Sequence, residues 1–372
     1  MTSAIQMNKK KISINGKFFG VTGTGVQRVA EELIVAIDGI LSTQPSIADK
    51  FDIEIIAPSN VTIRLNLNNI HVRQAGVLSG YYKNIPWEQL NLPFLVKERT
   101  LLSLCNLSSI FIKNAVVMIH DAQVYISPNS YSLGFRDWYK FVLPRVGKNS
   151  KKIITVSEFS KSQLSSYGVA KDEKIAVIHN GVDHVLRTSA DESILVKANL
   201  TNQNYCVAQS NTQAHKNIEV LIKAFSLPSL KNTKLVLYGS ASKADFEVQG
   251  LFVPENIVFT GRVNDAELRA LIENAIATLT PSLTEGFGLQ PLEGMTLGCP
   301  AIVTPKGALA EVCGDVGLYA NPYQPEAWAK AINYLIENEE FRHIMKEKVL
   351  AHSKSYTWEI AAQKLLNLLD SL

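Results

Sequence analysis

The sequence is poor in cysteine and lacks long apolar runs, and each absence narrows the choice of protein class. The four cysteines lie far apart and form no metal-ligand spacing, so we predict reduced, mostly buried thiols at Cys105, Cys206, Cys299 and Cys313. No stretch of about 18 apolar residues occurs, so no transmembrane helix is predicted. The start of the chain is polar and then basic, without an apolar segment of signal-peptide length. Together these features predict a cytoplasmic protein.

The chain also lacks a strong excess of charge. It has 37 basic and 34 acidic residues, a net charge of +3, which gives no reason to expect nucleic-acid binding. Hydrophobic residues make up 46% of the 372 positions, which predicts an extended apolar core. A chain of this length favours two domains of roughly 150–200 residues each. The basic amino terminus permits peripheral contact with a membrane surface.

Short apolar runs alternate with helical patterns along the whole chain, which is typical of parallel sheets covered by helices. Predicted strands lie at 11–15, 51–57, 71–75, 101–105, 115–120, 152–157 and 174–179, and then at 205–209, 234–239, 256–261, 276–280 and 300–304. Predicted helices lie at 26–41, 158–167, 216–226, 264–275, 288–298, 325–337, 339–353 and 357–371. The polar stretch 184–203 reads as a connection between domains. We therefore expect two α/β units with a ligand cleft between the carboxyl-end edges of their sheets.

The most informative segment is Thr280–Pro300, TPSLTEGFGLQPLEGMTLGCP. Two carboxylates, Glu285 and Glu293, flank a glycine-rich turn that follows a predicted strand and opens a predicted helix. Amide groups at such a helix start favour an anion. Each of the two glutamates can reach hydroxyl groups on one side of that anion. An anion with hydroxyl groups on both sides describes a sugar joined to a nucleoside through a diphosphate. The alternative is an ordinary solvated helix face, but the apolar flanks argue against free exposure.

Six segments in order carry a resemblance to a known family. They are VVMIHD (116–121), IITVSEFSKSQL (153–164), IHNGVD (178–183), HKNIEVLIKAF (215–225), IVFTGRV (257–263) and the glutamate segment. The chain resembles the retaining glycosyltransferases of family 4, which have the GT-B fold of two Rossmann-like domains. Within that family, the resemblance in GTGVQR and HKN leans toward a mannosyl- or rhamnosyltransferase of bacterial surface polysaccharide.

The resemblance implies roles for the residues of the glutamate segment. Glu285 would contact hydroxyls of the donor sugar, and Glu293 would hold the ribose hydroxyls. Backbone amides at the turn would meet the sugar and the diphosphate, at Gly286, Phe287, Gly288 and Leu289.

A second glycine-rich loop, GVTGTGVQR (20–28), follows the first predicted strand. Gly23 and Gly25 would let the backbone approach a ligand closely, and the helix start again favours an anion. The resemblance implies that this loop closes over the donor phosphates and the acceptor. On local grounds, a mobile loop without function fits equally well.

Three further positions gain a role from the resemblance. His120 would position the hydroxymethyl group of the sugar, although a histidine at a strand end is more often structural. Lys216 would contact the diphosphate, where the alternative is a surface lysine. Arg262 and Val263 would lie near the base, and Arg262 could equally be a solvated charge.

The sequence departs from the family at one position. The family places an arginine against the diphosphate, and this chain has Ser210 or Asn211 there. Loss of a guanidinium removes a bidentate phosphate contact. His215, Arg262 or a backbone amide would have to compensate, or the donor would bind less tightly.

The resemblance implies an acceptor-binding unit at 8–185 with the helix at 357–372, and a nucleotide-sugar-binding unit at 186–356. The expected reaction transfers a hexose, with mannose favoured, from a nucleotide-diphosphate sugar to a glycan or lipid-linked glycan, without a metal or cofactor. GDP-mannose is the favoured donor, and UDP- or dTDP-sugars stay open, as does the oligomeric state. The alternatives are a non-catalytic nucleotide-sugar-binding subunit and an epimerase on the same fold. The expected location is the cytoplasm, including the inner face of the cytoplasmic membrane.

Overall fold

The computed structural model describes residues 9–21, 24–75 and 85–372. The chain forms two compact units. Unit 1 comprises Met1–Gly181 and Trp358–Leu372, and unit 2 comprises Val182–Thr357. Each unit contains one parallel sheet with helices packed against it, as the alternation of apolar runs and helical patterns predicts.

The sheet of unit 1 has seven parallel strands in the order β3-β2-β1-β4-β5-β6-β7. Their bounds are β1 (Lys10–Asn15), β2 (Phe51–Ala57), β3 (His71–Gln74), β4 (Thr100–Ser103), β5 (Ala115–Met118), β6 (Lys152–Thr155) and β7 (Ile175–Val177). The central strands are buried on both faces, which is why they are continuous apolar runs in the sequence. The strand order reverses between β1 and β4.

The helices of unit 1 before the chain enters unit 2 are α1 (Gly25–Thr43), α2 (Pro45–Ala48), α3 (Leu92–Val96), α4 (Gln123–Ile126), α5 (Leu133–Asn149) and α6 (Glu158–Ser166). Shorter turns of helix lie at Gly16–Gly20, Trp87–Asn91, Pro128–Ser130 and Asp172–Lys174. Ser157 caps α6 by accepting a hydrogen bond from the Ser160 amide at 3.0 Å.

The sheet of unit 2 has six parallel strands in the order β10-β9-β8-β11-β12-β13. Their bounds are β8 (Tyr205–Ser210), β9 (Lys234–Gly239), β10 (Ile257–Gly261), β11 (Ala277–Thr280), β12 (Ala301–Val303) and β13 (Leu318–Tyr319). The helices are α7 (Ser193–Lys197), α8 (Ile218–Phe225), α9 (Lys243–Val248), α10 (Asp265–Glu273), α11 (Leu289–Thr296), α12 (Leu309–Cys313), α13 (Pro325–Glu337) and α14 (Glu339–Ser353). Short helical turns lie at Asp183–Leu186, Ala214–Lys216, Pro228–Leu230 and Gly314–Val316. Here the strand order reverses between β8 and β11.

The last helix, α15 (Trp358–Ser371), belongs to unit 1 although it follows all of unit 2 in sequence. It packs against α1, and its Trp358, Leu365 and Leu369 side chains are buried. An ion pair of 2.7 Å between Lys50 Nζ and Asp370 Oδ2 adds a contact near its end. The predicted return of the carboxyl-terminal helix to the first domain is therefore found in the structure.

The boundary between the units falls at 181/182, before the predicted 185/186. The reason is that the turn Asp183–Leu186 is held by unit 2: the Val182 amide donates to the Tyr356 carbonyl at 2.9 Å. The stretch 184–203 is not a linker, because Ile194 and Leu200 are buried against Leu271 of α10.

Helix α11 lies close against strand β11. A Cβ atom at Gly294 would come within 2.7 Å of Thr278 Cγ2 and 2.8 Å of Thr278 Oγ1. Since Thr278 is fully buried, it has no free space into which to move. Glycine at this position therefore allows the helix that carries Glu293 to sit directly on the strand.

We expect Gly294→Ala to lower the free energy of unfolding by about 1–3 kcal/mol, because the new methyl group overpacks the interface between α11 and β11. The matched control is Gly39→Ala in α1, where a Cβ atom meets no heavy atom within 4 Å. That variant should be neutral or more stable by up to about 1 kcal/mol. Urea unfolding, followed by circular dichroism, measures the free energy of unfolding of both variants. Equal values for Gly294→Ala and Gly39→Ala would contradict the close approach of α11 to β11.

Candidate functional site

The candidate site of unit 2 lies where its strand order reverses. Strands β8 and β11 are parallel neighbours, with Ala277 paired to Cys206 and Thr278 to Val207. The loops that follow these two strands therefore leave the same edge of the sheet side by side. In parallel α/β sheets this position is where ligands bind.

Two hydrogen bonds join the loops after β8 and β11, one between backbone groups and one from a side chain to the backbone. The Leu283 amide donates to the His215 carbonyl at 2.7 Å. Asn217, which has a left-handed backbone with φ of 54°, donates through Nδ2 to the Pro281 carbonyl at 3.1 Å. These contacts fix the position of the residues between them.

Lys216 and Glu285 meet at this junction. Lys216 Nζ lies 2.7 Å from Glu285 Oε1, and the Ser282 hydroxyl donates to the same oxygen at 2.6 Å. The two charged side chains are 23% and 18% exposed, so the ion pair is partly shielded from water yet reachable. The structure thus brings together two of the predicted catalytic residues, and adds Ser282, which the sequence analysis missed.

The surroundings keep Glu285 ionised. Burial on its own raises the pKa of this carboxyl, but the charge and hydrogen bond of Lys216, with the hydroxyl of Ser282, outweigh burial and bring the pKa below its ordinary value of 4.5. Burial, followed by the charge of Lys216, lowers the pKa of His215 from its ordinary value of 6.5. At neutral pH the site therefore holds one ammonium, one carboxylate and one neutral imidazole.

The glycine-rich turn opens α11 as predicted. Gly288 is its N-cap and has φ of 108°, a conformation that favours glycine. The amides of Gly288, a buried residue, and Leu289, a half-buried one, donate to no group within the described ranges, and unpaired amides at a helix start favour an anion. Phe287 has a different place: its ring is 5% exposed and packs edge-on against Tyr356 at 6.0 Å. The turn thus offers backbone amides to a ligand and keeps its aromatic ring in the core.

Glu293 has a partner that the sequence analysis did not identify. His184 Nε2 lies 3.2 Å from Glu293 Oε1, and the two side chains are 5% and 13% exposed. Burial, with the charge of Glu293 as a further cause, raises the pKa of Tyr238, which keeps that neighbouring hydroxyl protonated. Only the position of His184, directly after Asn180-Gly181-Val182-Asp183, could have indicated its role in the sequence.

The positions that replace the family arginine have structural roles. The Ser210 hydroxyl is buried and donates to the Ala241 carbonyl at 2.7 Å. The Asn211 side chain accepts from the Gln213 amide at 2.8 Å and so stabilises the turn after β8. Because the lowered pKa of His215 makes it neutral at pH 7, Lys216 supplies the positive charge at this junction.

The structure does not bring Arg262 and Val263 to the Lys216–Glu285 pair. They follow β10, an edge strand separated from β11 by β9 and β8. Arg262 is exposed and makes no ion pair with any residue in the described part of the chain. Val263 is half-buried against the apolar cluster that includes Leu271. A role for either residue in contacting the base stays a prediction.

In unit 1, His120 follows β5 at the carboxyl edge of the sheet, as predicted. Its Nε2 lies 2.8 Å from the Leu104 carbonyl, and because a carbonyl only accepts, Nε2 carries the hydrogen. Burial lowers the pKa of His120 to about 4, although the hydrogen bond to Leu104 opposes this. The imidazole is therefore neutral at pH 7 and, because its pKa is low, a weak proton acceptor, which fits a positioning group better than a general base.

The predicted phosphate loop of unit 1 is described in part. Gly25 begins α1, with Thr24 as its N-cap, and the Thr24 hydroxyl contacts the Gln27 side chain. Gly23 lies outside the described residues. Strand β1 lies next to β4, at the point where the strand order of this sheet reverses.

Two structural features of other kinds of protein are absent from the described ranges. Among those residues, no group of three or more His, Cys, Asp or Glu side chains is arranged to hold a metal ion. Within the same ranges, no helix has both the length and the apolar character needed to span a membrane.

Two family models match the chain. Residues 191–351, which include Lys216, Glu285 and Glu293, match the family described as glycosyl transferases group 1. Residues 100–186, which include His120, match glycosyltransferase family 4.

Two curated relatives align over most of their own length. The O-antigen chain mannosyltransferase RfbU of Salmonella typhimurium is 25% identical over 86% of this chain and 89% of its own. The O-antigen chain mannosyltransferase B of Escherichia coli is 27% identical over 69% of this chain and 70% of its own.

Solved structures show the same fold at low sequence identity. WaaG, described as a glycosyltransferase involved in lipopolysaccharide biosynthesis, superposes with a TM-score of 0.70 at 17% identity, over 96% of this chain and 99% of its own. Anabaena Alr3699/HepE, solved in complex with UDP-glucose, superposes with a TM-score of 0.69 at 17% identity, over 97% and 100%.

The two Rossmann-like units and these matches define a glycosyltransferase of the GT-B fold. In the two matched segments, 100–186 and 191–351, the chain resembles the glycosyltransferases of family 4 and group 1, as the order of its motifs indicated.

We expect Lys216→Met to lower the free energy of unfolding at neutral pH by about 1–3 kcal/mol. This range lies between the cost of breaking an exposed ion pair and that of breaking a buried one. Without the ammonium, burial dominates and raises the pKa of Glu285. In the parent protein that pKa is lowered, so its contribution is complete above the ordinary pKa of 4.5 and is lost as the pH falls through the folded-state value. The stability gap between parent and variant should therefore narrow below pH 4.5.

Thermal and urea unfolding between pH 3 and pH 8 measure this gap. The matched control is Lys223→Met, which removes the exposed i,i+4 ion pair with Glu219. That change should cost less than about 0.5 kcal/mol. A gap for Lys216→Met that stays constant down to pH 3 would rule out the proposed coupling.

Proposed function

We propose that this protein is a retaining hexosyltransferase that moves a sugar from a nucleotide-diphosphate donor to a hydroxyl of a glycan or lipid-linked glycan. The observation that carries the proposal is the Lys216–Glu285 pair of 2.7 Å, placed beside the unpaired amides of Gly288 and Leu289 at the switch point of the sheet. Such a site offers an ammonium and amides to a diphosphate and a carboxylate to sugar hydroxyls.

The donor would bind along the segment between the two glutamates. Both donors to Glu285, from Lys216 and Ser282, use Oε1, so Oε2 is the oxygen that would accept from a sugar hydroxyl. Glu293 would accept from the ribose hydroxyls further along α11. Both carboxylates lie on one ordered segment with the start of α11 between them, an order that would suit a ligand with hydroxyl groups at both ends and an anion in the middle.

Transfer would proceed by attack on the same face from which the leaving group departs. The acceptor oxygen forms a bond to the anomeric carbon as the bond from that carbon to the diphosphate breaks, and the leaving phosphate oxygen takes the acceptor proton. Lys216 and the amides at the start of α11 would stabilise the developing charge, an effect often worth about 3 kcal/mol per donor. No metal is required by this scheme, since the protein's own cationic and amide groups carry that role.

His120 completes the proposal from unit 1. Its pKa of about 4 makes the imidazole a weak base at neutral pH, so we give it the task of orienting the hydroxymethyl group of the sugar rather than moving a proton. The role given to the loop that begins α1 at Gly25, and to Gly23, is to close over the donor phosphates. Arg262 and Val263 are proposed neighbours of the base.

Mannose is the favoured sugar, with GDP-mannose as the donor. The support is that both O-antigen relatives, from Salmonella typhimurium and Escherichia coli, are mannosyltransferases by name. A UDP- or dTDP-sugar is the alternative, since Alr3699/HepE was solved with UDP-glucose. The same relatives support an acceptor that belongs to surface-polysaccharide synthesis. With such an acceptor, the protein would act in the cytoplasm, at the inner face of the cytoplasmic membrane.

The decisive experiment incubates the purified protein with a panel of GDP-, UDP- and dTDP-sugars and glycan acceptors. A bound donor should raise the unfolding temperature, because a free donor concentration of 100 times its dissociation constant adds about 2.7 kcal/mol to the free energy of unfolding. Transfer with retained anomeric configuration, unchanged by EDTA, supports the proposal. Binding without transfer or hydrolysis would indicate a non-catalytic subunit, and donor conversion without an acceptor would indicate an epimerase.

We expect Glu285→Ala to reduce kcat by roughly 100-fold or more while nucleoside diphosphate binding survives, because the carboxylate acts on the sugar end of the donor. Glu293→Ala should instead mainly raise the dissociation constant of the donor. Glu219→Ala, which removes an exposed carboxylate of α8, is the control and should change neither quantity. Full activity in Glu285→Ala would refute the role of that residue.

A further inference from the structure

A histidine that none of the family motifs contains lies against the second glutamate of the motif. His184 Nε2 and Glu293 Oε1 are 3.2 Å apart, and the side chains are 5% and 13% exposed. A carboxylate oxygen only accepts, so Nε2 is the donor in this contact. The pair is therefore a nearly enclosed contact between the turn Asp183–Leu186 and helix α11.

The turn that carries His184 is anchored independently of Glu293. The Arg269 guanidinium donates to the carbonyls of Leu186 at 3.2 Å and Thr188 at 2.9 Å. On the other side, the Val182 amide donates to the Tyr356 carbonyl at 2.9 Å. The imidazole is consequently presented by a fixed backbone, and it can orient the glutamate rather than follow it.

Glu293 needs such an orienting partner for the role proposed above. A glutamate has several rotatable bonds, and holding it in one rotamer costs side-chain entropy. The contact with His184 uses Oε1, and Oε2 makes no hydrogen bond to the described part of the chain. One oxygen is thereby fixed by the protein and the other is left to accept from a ligand.

We propose that His184 is a positioning residue that holds Glu293 so that its carboxylate recognises the ribose hydroxyls of the donor. This inference rests on the proposed function, since it requires Glu293 to contact the ribose. It makes His184 a determinant of selectivity for ribonucleotides over nucleotides that lack these hydroxyls. A purely structural tie between the turn and α11 would instead affect all ligands equally.

The test compares the affinity of each variant for a ribonucleotide with its affinity for the 2′,3′-dideoxy form. The probes are GDP and UDP with their dideoxy counterparts, measured by isothermal titration calorimetry. A hydrogen bond to a charged group predicts a preference of the parent protein for the ribonucleotide of ~10–100-fold. His184→Ala should reduce this preference to less than about 3-fold, chiefly by weakening the binding of the ribonucleotide.

Three variants complete the design. His184→Gln keeps a donor near the position of Nε2 and should retain most of the preference. Glu293→Ala should lose the preference entirely. His343→Ala removes an exposed His–Glu contact of 3.9 Å to Glu347 on α14, and should behave as the parent protein. Circular dichroism checks that each variant is folded. If His184→Ala is not folded, His184→Phe, which keeps an aromatic ring and removes the donor, takes its place and should likewise reduce the preference.

The outcomes separate the inference from the function on which it rests. Two results would show that the positioning role is wrong while the ribose contact stands. In the first, Glu293→Ala loses the preference and the His184 variants keep it in full. In the second, His184→Gln is folded and behaves like His184→Ala. If Glu293→Ala keeps the preference, the ribose contact and this inference both fail. If the parent protein binds neither GDP nor UDP, the proposed donor is wrong, and the inference falls with it.

Discussion

The site of unit 2 depends on the ion pair between Lys216 and Glu285. Its two members come from loops that are far apart in sequence and meet only because β8 and β11 are neighbours in the sheet. Burial of a carboxylate is unfavourable by itself, and here the ammonium at 2.7 Å more than compensates, so Glu285 stays ionised at neutral pH. The charge state needed for a polar ligand is therefore built into the fold before any ligand arrives.

The two glutamates of the motif are held by different chemistry, although they lie on one segment. Glu285 is bound by a lysine and a serine, and Glu293 faces an enclosed histidine. Between them Gly288 makes the turn that starts α11, while Phe287 anchors that turn in the core. A rigid segment with an anchored centre sets the distance between two carboxylates more firmly than two independent loops could.

Much of the fold could be predicted because its central strands are buried on both faces and are therefore continuous apolar runs. Twelve strands were found near their predicted positions. The exceptions have physical causes. Strand β13 (Leu318–Tyr319) is too short to form a pattern, and α5 (Leu133–Asn149) contains Pro144 and exposes Leu133 and Phe141, so its apolar periodicity is weak. The stretch 184–203 is polar overall and still contributes three buried residues to unit 2, His184, Ile194 and Leu200, which composition alone does not reveal.

The sequence by itself determined the α/β class, the two units, the resemblance to a family and the segment that carries Glu285 and Glu293, because local patterns encode burial and turns. Only the tertiary structure decided which side chains meet. It paired Lys216 with Glu285 and His184 with Glu293, and it left Arg262 exposed at the end of an edge strand. The reason is that these contacts join residues from about 70 to more than 100 positions apart, and the order of strands in a sheet, which sets such contacts, is not written in any local stretch of the chain.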